Sequence, residues 1–307
     1  MLSNSVSKLI SYDGWLALYK PVGPTSFDMV KQVRSLFPRK TKIGHGGTLD
    51  PLAEGVLPIA VGEATKTVDY LMDEKKEYLF EVCWGEERET DDLEGDVLHS
   101  SADRPTQKDI EAILPNFIGV LNQLPPLYSA KKIKGKRACD LMREGKSVTL
   151  NPSSITVFSL EILSHTVDKT LFKVFCSKGT YVRSLARDMG RALGCYGYAA
   201  SIKRSRVGAM SLENTVSLEK LAVLKKDAIL DEIIRPVQAV LADIPAVLVT
   251  PDQEQQLRYG QAVVYPQHDL FSTGHICALC INDRNKAVAI VDVDGRSLRP
   301  KRVFNIK

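Results

Sequence analysis

Apolar positions spaced three and four residues apart predict helices in four segments of the chain. Most of these segments have a signal for where a helix begins or ends: Thr25 and Thr250 are candidate N-cap residues, and Gly194 is a candidate stop. In another segment, Thr106 and Asp109 form a capping arrangement ahead of an apolar run. The predicted helices lie in PTSFDMVKQVRSLF, PTQKDIEAILPNF, GTYVRSLARDMGRALG and TPDQEQQLRYG.

Shorter runs rich in β-branched and aromatic residues predict strands between and after these helices. The runs are GWLALYK, EYLFEVCWG, SITVFSLEILSHTV, TLFKVFCSKG, AVVYP, HICALCI and KAVAIVDVDG. Hairpin-like pairs of runs are mixed with helices, without strict βα alternation, which predicts an α+β fold. A break near residues 241–249 predicts a main domain at 1–240 and a small β-rich domain at 245–307.

Positive charge is concentrated in a few segments, although the chain as a whole is nearly balanced. It has 41 Lys and Arg against 37 Asp and Glu, a formal net charge of +4 that permits nucleic-acid binding without requiring it. The densest basic segment is an insertion at about 125–152. A basic run is often only a solvated face, but the neighbouring Tyr128 favours contact with a polyanion. We expect Lys131, Lys132 and Lys134 to contact a nucleic-acid backbone, in a segment that is mobile without it.

Several classes of protein are disfavoured by the composition. No run of about 18 apolar residues is present, so no membrane span is predicted, and the first residues do not resemble a signal peptide; we expect a cytoplasmic protein. The six cysteines are scattered, which argues against a disulfide framework. Cys277 and Cys280 form a CxxC pair within a predicted strand, where residues three apart face opposite sides. Small buried hydrophobes are favoured there over a metal or redox role, and no metal site is expected.

The segment KIGHGGTLDPLAEGVLPIAVGEATK, residues 42–66, carries the strongest local indication of chemistry. Glycines surround His45, so the backbone can approach a ligand closely. Asp50 precedes Pro51, which favours an extended or turn conformation and an accessible carboxylate. His45 and Asp50 can be interpreted as acid/base or nucleophilic groups, or more simply as parts of a turn that Asp50 caps. A phosphate-binding loop is disfavoured, because the segment lacks the Lys-Ser/Thr ending of such loops.

The same segment resembles the signature of the bacterial tRNA pseudouridine synthase B (TruB) family. Other segments resemble family motifs in the family's order: YKPVGPTSFD before the signature, then KKEYLFEVCWGEERETDD, LPPLYSAKKIKGKRA and CSKGTYVRSLARDMG. The resemblance covers most of residues 14–210, with a weaker match near the C-terminus. It implies the pseudouridine synthase fold, a mixed or antiparallel sheet with flanking helices, followed by a small β-rich PUA-like domain that binds RNA.

The resemblance implies that Asp50 is the catalytic carboxylate. Arg183 matches the arginine that pairs with this carboxylate, and a bidentate pair would keep Asp50 ionised and oriented. Tyr78 matches the aromatic residue that stacks on the target base. An aromatic ring suits that position, because it replaces the stacking that a flipped base loses.

Other positions are implied to support or line the site. His45 matches a histidine that contacts the RNA as the target base leaves the stack, and Lys20 matches a lysine that supports the site. Ile202 stands where the family usually has a pocket-lining Leu, and it is followed by Lys-Arg where the family often has Arg-Arg. Tyr128 is a candidate for shaping the pocket or contacting RNA. The first family motif usually reads Asp-Lys-Pro, whereas here Tyr19 replaces the acid.

The activity implied by the resemblance is isomerisation of uridine to pseudouridine at position 55 in the T-loop of tRNA. The reaction replaces a C–N glycosidic bond by a C–C bond without net redox change, so neither a metal nor an organic cofactor is expected. The implied partner is the tRNA T-arm, and we expect a monomer without an obligatory protein partner. Two alternatives stay open: a non-catalytic RNA-binding or RNA-folding protein, and a paralogue of the archaeal or eukaryotic type that a small RNA guides.

Overall fold

The computed structural model describes residues 12–133, 135–227, 229–265 and 277–306. Within these ranges the α-helices are α1 (Ser26–Ser35), α2 (Val68–Asp73), α3 (Gln107–Ile113), α4 (Ala138–Arg143), α5 (Val182–Ala192), α6 (Leu218–Lys226) and α7 (Pro251–Arg258). The strands of the first half are β1 (Gly14–Lys20), β2 (Ile43–His45), β3 (Ala53–Val61), β4 (Lys76–Trp84), β5 (Glu86–Arg88), β6 (Val97–Ser100), β7 (Gly119–Gln123), β8 (Lys132–Ile133) and β9 (Lys136–Arg137). Those of the second half are β10 (Ser153–His165), β11 (Lys169–Cys176), β12 (Gly197–Val207), β13 (Met210–Ser211), β14 (Ala246–Leu248), β15 (Val263–Val264), β16 (Cys277–Ile281), β17 (Ala287–Asp294) and β18 (Ser297–Val303).

A mixed sheet forms the centre of the molecule. Its principal strands lie in the order β1-β3-β12-β4-β11-β10-β7, with β2 beside β3 and β13 beside β12. β12 pairs in parallel with β3 and antiparallel with β4, while the other neighbours are antiparallel. The predicted α+β fold with a mixed sheet is confirmed. This strand order brings the segment after Asp50 next to strands that lie far from it in sequence.

Alternating apolar residues on β4 and β11 bury one face of this sheet. The rings of Phe80 and Phe172 stack at 5.3 Å, and Trp84 meets Phe172 edge-on at 6.3 Å. Helix α5 contributes Leu185 and Met189 to the same core. Lys–Glu ion pairs lie on the opposite face of these strands. The sheet therefore offers one apolar face, against which α5 is held.

A second sheet follows, with its strands in the order β14-β16-β17-β18-β15. The predicted β-rich C-terminal part is thereby confirmed as a separate sheet. Leu279, Ile290 and Phe304 of this part belong to one buried cluster with Trp15 and Val56 of the first sheet. The two sheets consequently share a hydrophobic core.

Most predicted elements are found near their expected positions. Helices α1, α3, α5 and α7 are confirmed, with capping boxes at Thr25, Thr106 and Thr250 and with Gly194 at φ +71° after α5. Among the strands of seven or more residues, β3, β12 and β18 were not predicted, and helices α2, α4 and α6 were not predicted either. The beginning of HICALCI lies outside the described residues, and β16 begins at Cys277.

Three observations bear on the disfavoured classes. Burial raises the pKa of the Cys280 thiol to about 12, which suits an inert core thiol. In the described ranges, no group of three or more His, Cys, Asp or Glu side chains is placed to hold a metal ion. No helix among the described residues is long and apolar enough to cross a membrane.

Candidate active site

Asp50 lies in a short loop between β2 and β3, residues 46–52, which we call the Asp50 loop. Ser26 holds its main chain from α1: the Ser26 hydroxyl accepts from the Leu49 amide at 2.8 Å and donates to the Leu49 carbonyl at 3.0 Å. Lys20 holds the other end, since its Nζ donates to the Ala53 carbonyl at 2.6 Å and to the Pro51 carbonyl at 3.3 Å. The loop is thus fixed by side chains from neighbouring elements.

Lys20 itself is fully buried at the end of β1. Burial lowers the pKa of Lys20 to about 8, while the nearby Asp50 carboxylate acts in the opposite direction. Its ammonium contacts main-chain carbonyls, and Lys20 is not among the residues that line the cleft described below. The structure places it behind the Asp50 loop as a support.

Arg183 joins the Asp50 loop to two other segments. Its side chain is 5% exposed, and Nη2 lies 2.9 Å from Oδ2 of Asp50. The same guanidinium lies 3.1 Å from Asp92 and donates to the carbonyls of Thr90 at 2.9 Å and Tyr128 at 3.1 Å. The expected bidentate pair with Asp50 is therefore wrong, because Arg183 divides its donors between two carboxylates and two carbonyls.

A cleft of about 650 Å³ opens in front of this ion pair. That volume lies within the usual range of ligand-binding clefts. Its walls come from the Asp50 loop, α2, β4, β12 and the start of α5, and the residues relevant here are Asp50, Tyr78, Tyr181, Arg183, Ile202 and Arg204. Four side chains predicted as catalytic or base-binding, Asp50, Tyr78, Arg183 and Ile202, thus meet at one cleft.

Tyr78 and Ile202 line this cleft from adjacent strands. Ile202 on β12 is 5% exposed and pairs with Phe80, whereas Tyr78 on β4 is half-buried. Burial raises the pKa of Tyr78, so its phenol stays neutral, and the Arg204 guanidinium beside it acts in the opposite direction. A neutral ring beside an aliphatic side chain forms a wall suited to a planar base.

Tyr181 is a cleft residue that the sequence analysis did not single out. It precedes α5, and the buried Gln123 holds its main chain by donating to the Tyr181 carbonyl at 3.0 Å and accepting from its amide at 2.8 Å. Burial raises the pKa of its phenol as well. The segment GTYVRS had drawn attention to Arg183, and its aromatic residue was the available signal for Tyr181.

His45 and Tyr128 do not line the cleft. His45 lies on β2, where its Nδ1 is buried without a hydrogen-bond partner among the described residues; burial lowers the pKa of its ring, and Arg204 lowers it further. Tyr128 donates from its hydroxyl to Glu89 at 3.0 Å, and its carbonyl accepts from Arg183. Tyr128 therefore contacts the site through its main chain.

The basic insertion forms β8, β9 and α4 around the predicted lysines. Lys131 lines the cleft, and its ammonium donates to the Ser153 hydroxyl at 2.6 Å and to the Asn151 carbonyl at 2.9 Å. Lys132 is exposed, whereas Lys134 lies outside the described residues. The insertion thus places one lysine at the cleft and one in solvent.

Asp92 and Arg204 are two further residues that the sequence analysis did not assign. Asp92 is 2% exposed and is fixed by the amide of Glu94 at 3.0 Å in addition to Arg183. Arg204 is 1% exposed and donates to three main-chain carbonyls on either side of Asp50. Only the acidic run around Asp92 and the basic run around Arg204 could have indicated them.

Comparison with known proteins identifies related sequences over most of the chain. The family described as "TruB family pseudouridylate synthase (N terminal domain)" matches residues 34–182, and the family described as "tRNA pseudouridylate synthase B C-terminal domain" matches residues 183–242. A Sinorhizobium medicae protein named tRNA pseudouridine synthase B is 46% identical to this chain, and the alignment covers 95% of each protein. A Rhodopseudomonas palustris protein of the same name is 45% identical, covering 95% of this chain and 81% of its own.

Solved structures show the same fold. The "Crystal Structure of a Cbf5-Nop10-Gar1 Complex" matches with a TM-score of 0.71 at 23% identity, over 95% of this chain and 85% of the matched chain. The fold, the cleft and the relatives together define an RNA-modifying isomerase, a pseudouridine synthase. Within that class, the chain belongs to the TruB family of pseudouridylate synthases.

Proposed function

We propose that the chain converts uridine to pseudouridine at position 55 in the T-loop of tRNA, with Asp50 as the reacting carboxylate. The observation that carries the proposal is the ion pair between the buried Arg183 and Asp50, whose side chain is 39% exposed at the cleft. A fixed cation holds such a carboxylate in one orientation. The relatives named tRNA pseudouridine synthase B support tRNA as the substrate.

The reaction needs few chemical groups. The C1′–N1 bond of the target uridine breaks, the uracil turns, and C5 bonds to C1′. C5 then loses its proton and N1 takes one up, so atoms and electrons balance without an oxidant or net consumption of water. The Asp50 carboxylate acts on the ribose or the base as the glycosidic bond opens. Arg183 holds the Asp50 carboxylate in position while no bond joins that carboxylate to the substrate. This division of work needs no resident metal or organic cofactor.

The walls of the cleft suit a flipped base. Tyr78 stacks on the uracil and replaces the stacking that the base loses when it leaves the loop. Ile202 and Tyr181 close the other sides of the pocket. His45, beside the cleft, contacts the RNA from which the base has left. Lys20 supports the Asp50 loop from behind.

The remaining surfaces bind the rest of the tRNA arm. The insertion at 125–152 closes over the T-arm, with Lys131, Lys132 and Lys134 near its phosphates. Residues 1–240 form the catalytic domain, and residues 245–307 form a PUA-like RNA-binding domain. The enzyme works in the cytoplasm, where its tRNA substrate is found, as a monomer without an obligatory protein partner.

The direct test is an assay of pseudouridine at single-nucleotide resolution in an unmodified tRNA transcript. The wild-type protein is expected to modify position 55, and Asp50→Asn is expected to be at least about a thousandfold slower, because it removes the reacting group. RNA affinity of Asp50→Asn should change by no more than severalfold. Product at another position would overturn the assignment to position 55.

Asp168→Asn is a matched control, because Asp168 also pairs with an arginine, Arg104 at 2.8 Å, but is exposed. It is expected to react like the wild type. Wild-type rates from Asp50→Asn would reject Asp50 as the reacting carboxylate. If neither the wild-type protein nor Asp50→Asn forms pseudouridine although both bind the transcript, the non-catalytic RNA-binding alternative is favoured.

A further inference from the structure

Arg204 lies between the Asp50 loop and Tyr78, two parts of the site whose separation must stay fixed. On β12 it pairs with Gly55 of β3 on one side and with Tyr78 of β4 on the other. Its side chain is almost fully buried and forms part of the cleft wall. One residue thus contacts both the strand that follows the Asp50 loop and the strand that carries the stacking aromatic residue.

The guanidinium of Arg204 holds main-chain carbonyls on both sides of Asp50. Nε donates to Val56 at 2.8 Å, Nη2 to Gly47 at 3.0 Å and Nη1 to Thr48 at 3.3 Å. Three carbonyls from two segments require several donors in a rigid fork, which arginine has and lysine lacks. Two of these carbonyls belong to the Asp50 loop and the third to β3, so the contacts join the beginning of the loop to the strand that follows it.

The charge of Arg204 is buried without a carboxylate partner among the ion pairs of the described residues. Its positive charge acts on other basic groups: it lowers the pKa of Lys20, Lys76 and His45, in each case in addition to burial. An unpaired buried cation is unfavourable for stability. A purely structural link between strands would be better made by a neutral donor, so this position indicates a role in the site.

Gly55, a residue of the signature segment, permits this close approach. Its φ is +111°, and a Cβ at this position would lie 2.3 Å from the Arg204 carbonyl oxygen. Only glycine adopts such a conformation readily and leaves that space. The backbone of Arg204 therefore lies directly against the strand that leaves the Asp50 loop.

We propose that Arg204 is a positioning residue, which fixes the main chain around Asp50 and sets its distance from Tyr78. The inference rests on the proposed function, because it takes Asp50 as the reacting carboxylate. Arg183 orients the carboxylate itself, and Arg204 holds the loop that carries it. A displacement of about 1 Å at a reacting group can slow a reaction about a hundredfold.

The test measures single-turnover rates, RNA dissociation constants and thermal unfolding for Arg204→Met and Arg204→Lys on a T-arm stem-loop. Arg204→Met is expected to slow the chemical step about 10- to 100-fold, with the dissociation constant within about twofold of the wild type. Arg204→Lys should recover part of the rate, because it keeps the charge but cannot reach three carbonyls. Arg34→Met is the matched control: Arg34 donates to the Ile43 carbonyl at 3.0 Å but does not line the cleft.

Three results would overturn the inference. They are a wild-type rate from Arg204→Met, a weaker RNA affinity with an unchanged chemical step, or the same loss of rate in Arg34→Met. If Arg204→Met does not fold, Arg204→Lys decides the question, because a full rate from lysine rejects the need for a fork of donors. Asp50→Asn in the same assay separates the two proposals: if it retains activity, the proposed function fails, whatever Arg204 does.

Discussion

Arg183 contacts Asp50 through one nitrogen, Nη2 at 2.9 Å, and its Nη1 and Nη2 also donate to main-chain carbonyls, while its Nε is buried without a hydrogen-bond partner among the described residues. Its Nη1 reaches Asp92, a carboxylate that is almost fully buried. The Arg183 guanidinium, held between Asp92 and Asp50, has little freedom to rotate. The Asp50 carboxylate that it contacts is therefore held in one orientation. The orientation of Asp50 therefore depends on a residue that does not line the cleft.

We predict that Asp92→Asn slows the chemical step about 10- to 100-fold, because Arg183 then loses one of its two charged anchors. RNA affinity should be unchanged, since Asp92 is buried behind the site. Single-turnover kinetics and a binding titration measure the two quantities. Asp188→Asn is the control, because Asp188 pairs with the buried Arg187 of the same helix at 2.9 Å. Equal rates for Asp92→Asn and the wild type would contradict the prediction.

A second prediction concerns stability and pH. Burial lowers the pKa of Lys76 to about 8, whereas an unfolded lysine keeps its proton until about pH 10.4. Between these pH values the unfolded chain binds more protons, so Lys76 makes folding more favourable as pH rises. Lys76→Met lacks this contribution. As pH rises from 8 to 10, the free energy of unfolding of Lys76→Met should therefore decrease relative to that of the wild type. The difference between the two proteins should change by up to about 1.4 kcal/mol per pH unit.

Denaturant unfolding at several pH values measures this difference. Other groups titrate in both proteins, so only the difference between variant and wild type is informative. Lys75→Met is the control for loss of a neighbouring exposed lysine, and the change of the difference with pH should be larger for Lys76→Met than for Lys75→Met. A difference between Lys76→Met and the wild type that stays constant from pH 8 to pH 10 would reject the prediction.

Local signals in the sequence predicted much of this fold. The capping boxes at Thr25 and Thr106 are formed by residues three apart, and the stop at Gly194 depends on one residue. The strand β12 was missed because its sequence, GYAASIKRSRV, has few β-branched or aromatic residues and a polar run near its end, and its buried Arg204 does not look like a core residue. Burial of a charged side chain depends on distant partners that local patterns do not reveal.

In the candidate site, too, individual residues could be predicted from the sequence, whereas contacts between residues distant in sequence could not. The family resemblance indicated Asp50, Tyr78 and Arg183, and the structure brings them to one cleft. The partners of Arg183 other than Asp50 were not predicted, because Thr90, for example, lies 93 positions away in sequence. Pairing across such a separation follows from strand order, and the sequence analysis had not placed β12 between β3 and β4.

A third prediction concerns cooperativity between the two sheets. The two tryptophans of the chain report on different cores: Trp15 lies in the cluster shared with the terminal sheet, and Trp84 lies beneath α5. Ile290→Ala removes a fully buried side chain of the terminal sheet and should cost about 2–5 kcal/mol. Because the core is shared, both tryptophans should report the same shifted transition.

Ile290→Ala combined with Trp15→Phe or with Trp84→Phe separates the two signals by fluorescence, with the single tryptophan variants as references. An unshifted transition at Trp84 would show that the terminal sheet unfolds by itself. That result would also support residues 245–307 as an independent domain. A common shift would mean that removal of the terminal sheet destabilises the central mixed sheet.

The last prediction distinguishes the lysines of the insertion by their present partners. Lys131 already donates to Ser153 and Asn151, whereas Lys132 is exposed. Each phosphate contact contributes about 0.7–0.9 to the slope of log K against log salt concentration. Lys132→Ala should therefore reduce the magnitude of this slope by about 0.7–0.9, the contribution of one phosphate contact, and Lys131→Ala should reduce it by less. Lys226→Ala, at the exposed end of α6, should leave the slope unchanged, and a larger effect from Lys131→Ala than from Lys132→Ala would contradict the assignment.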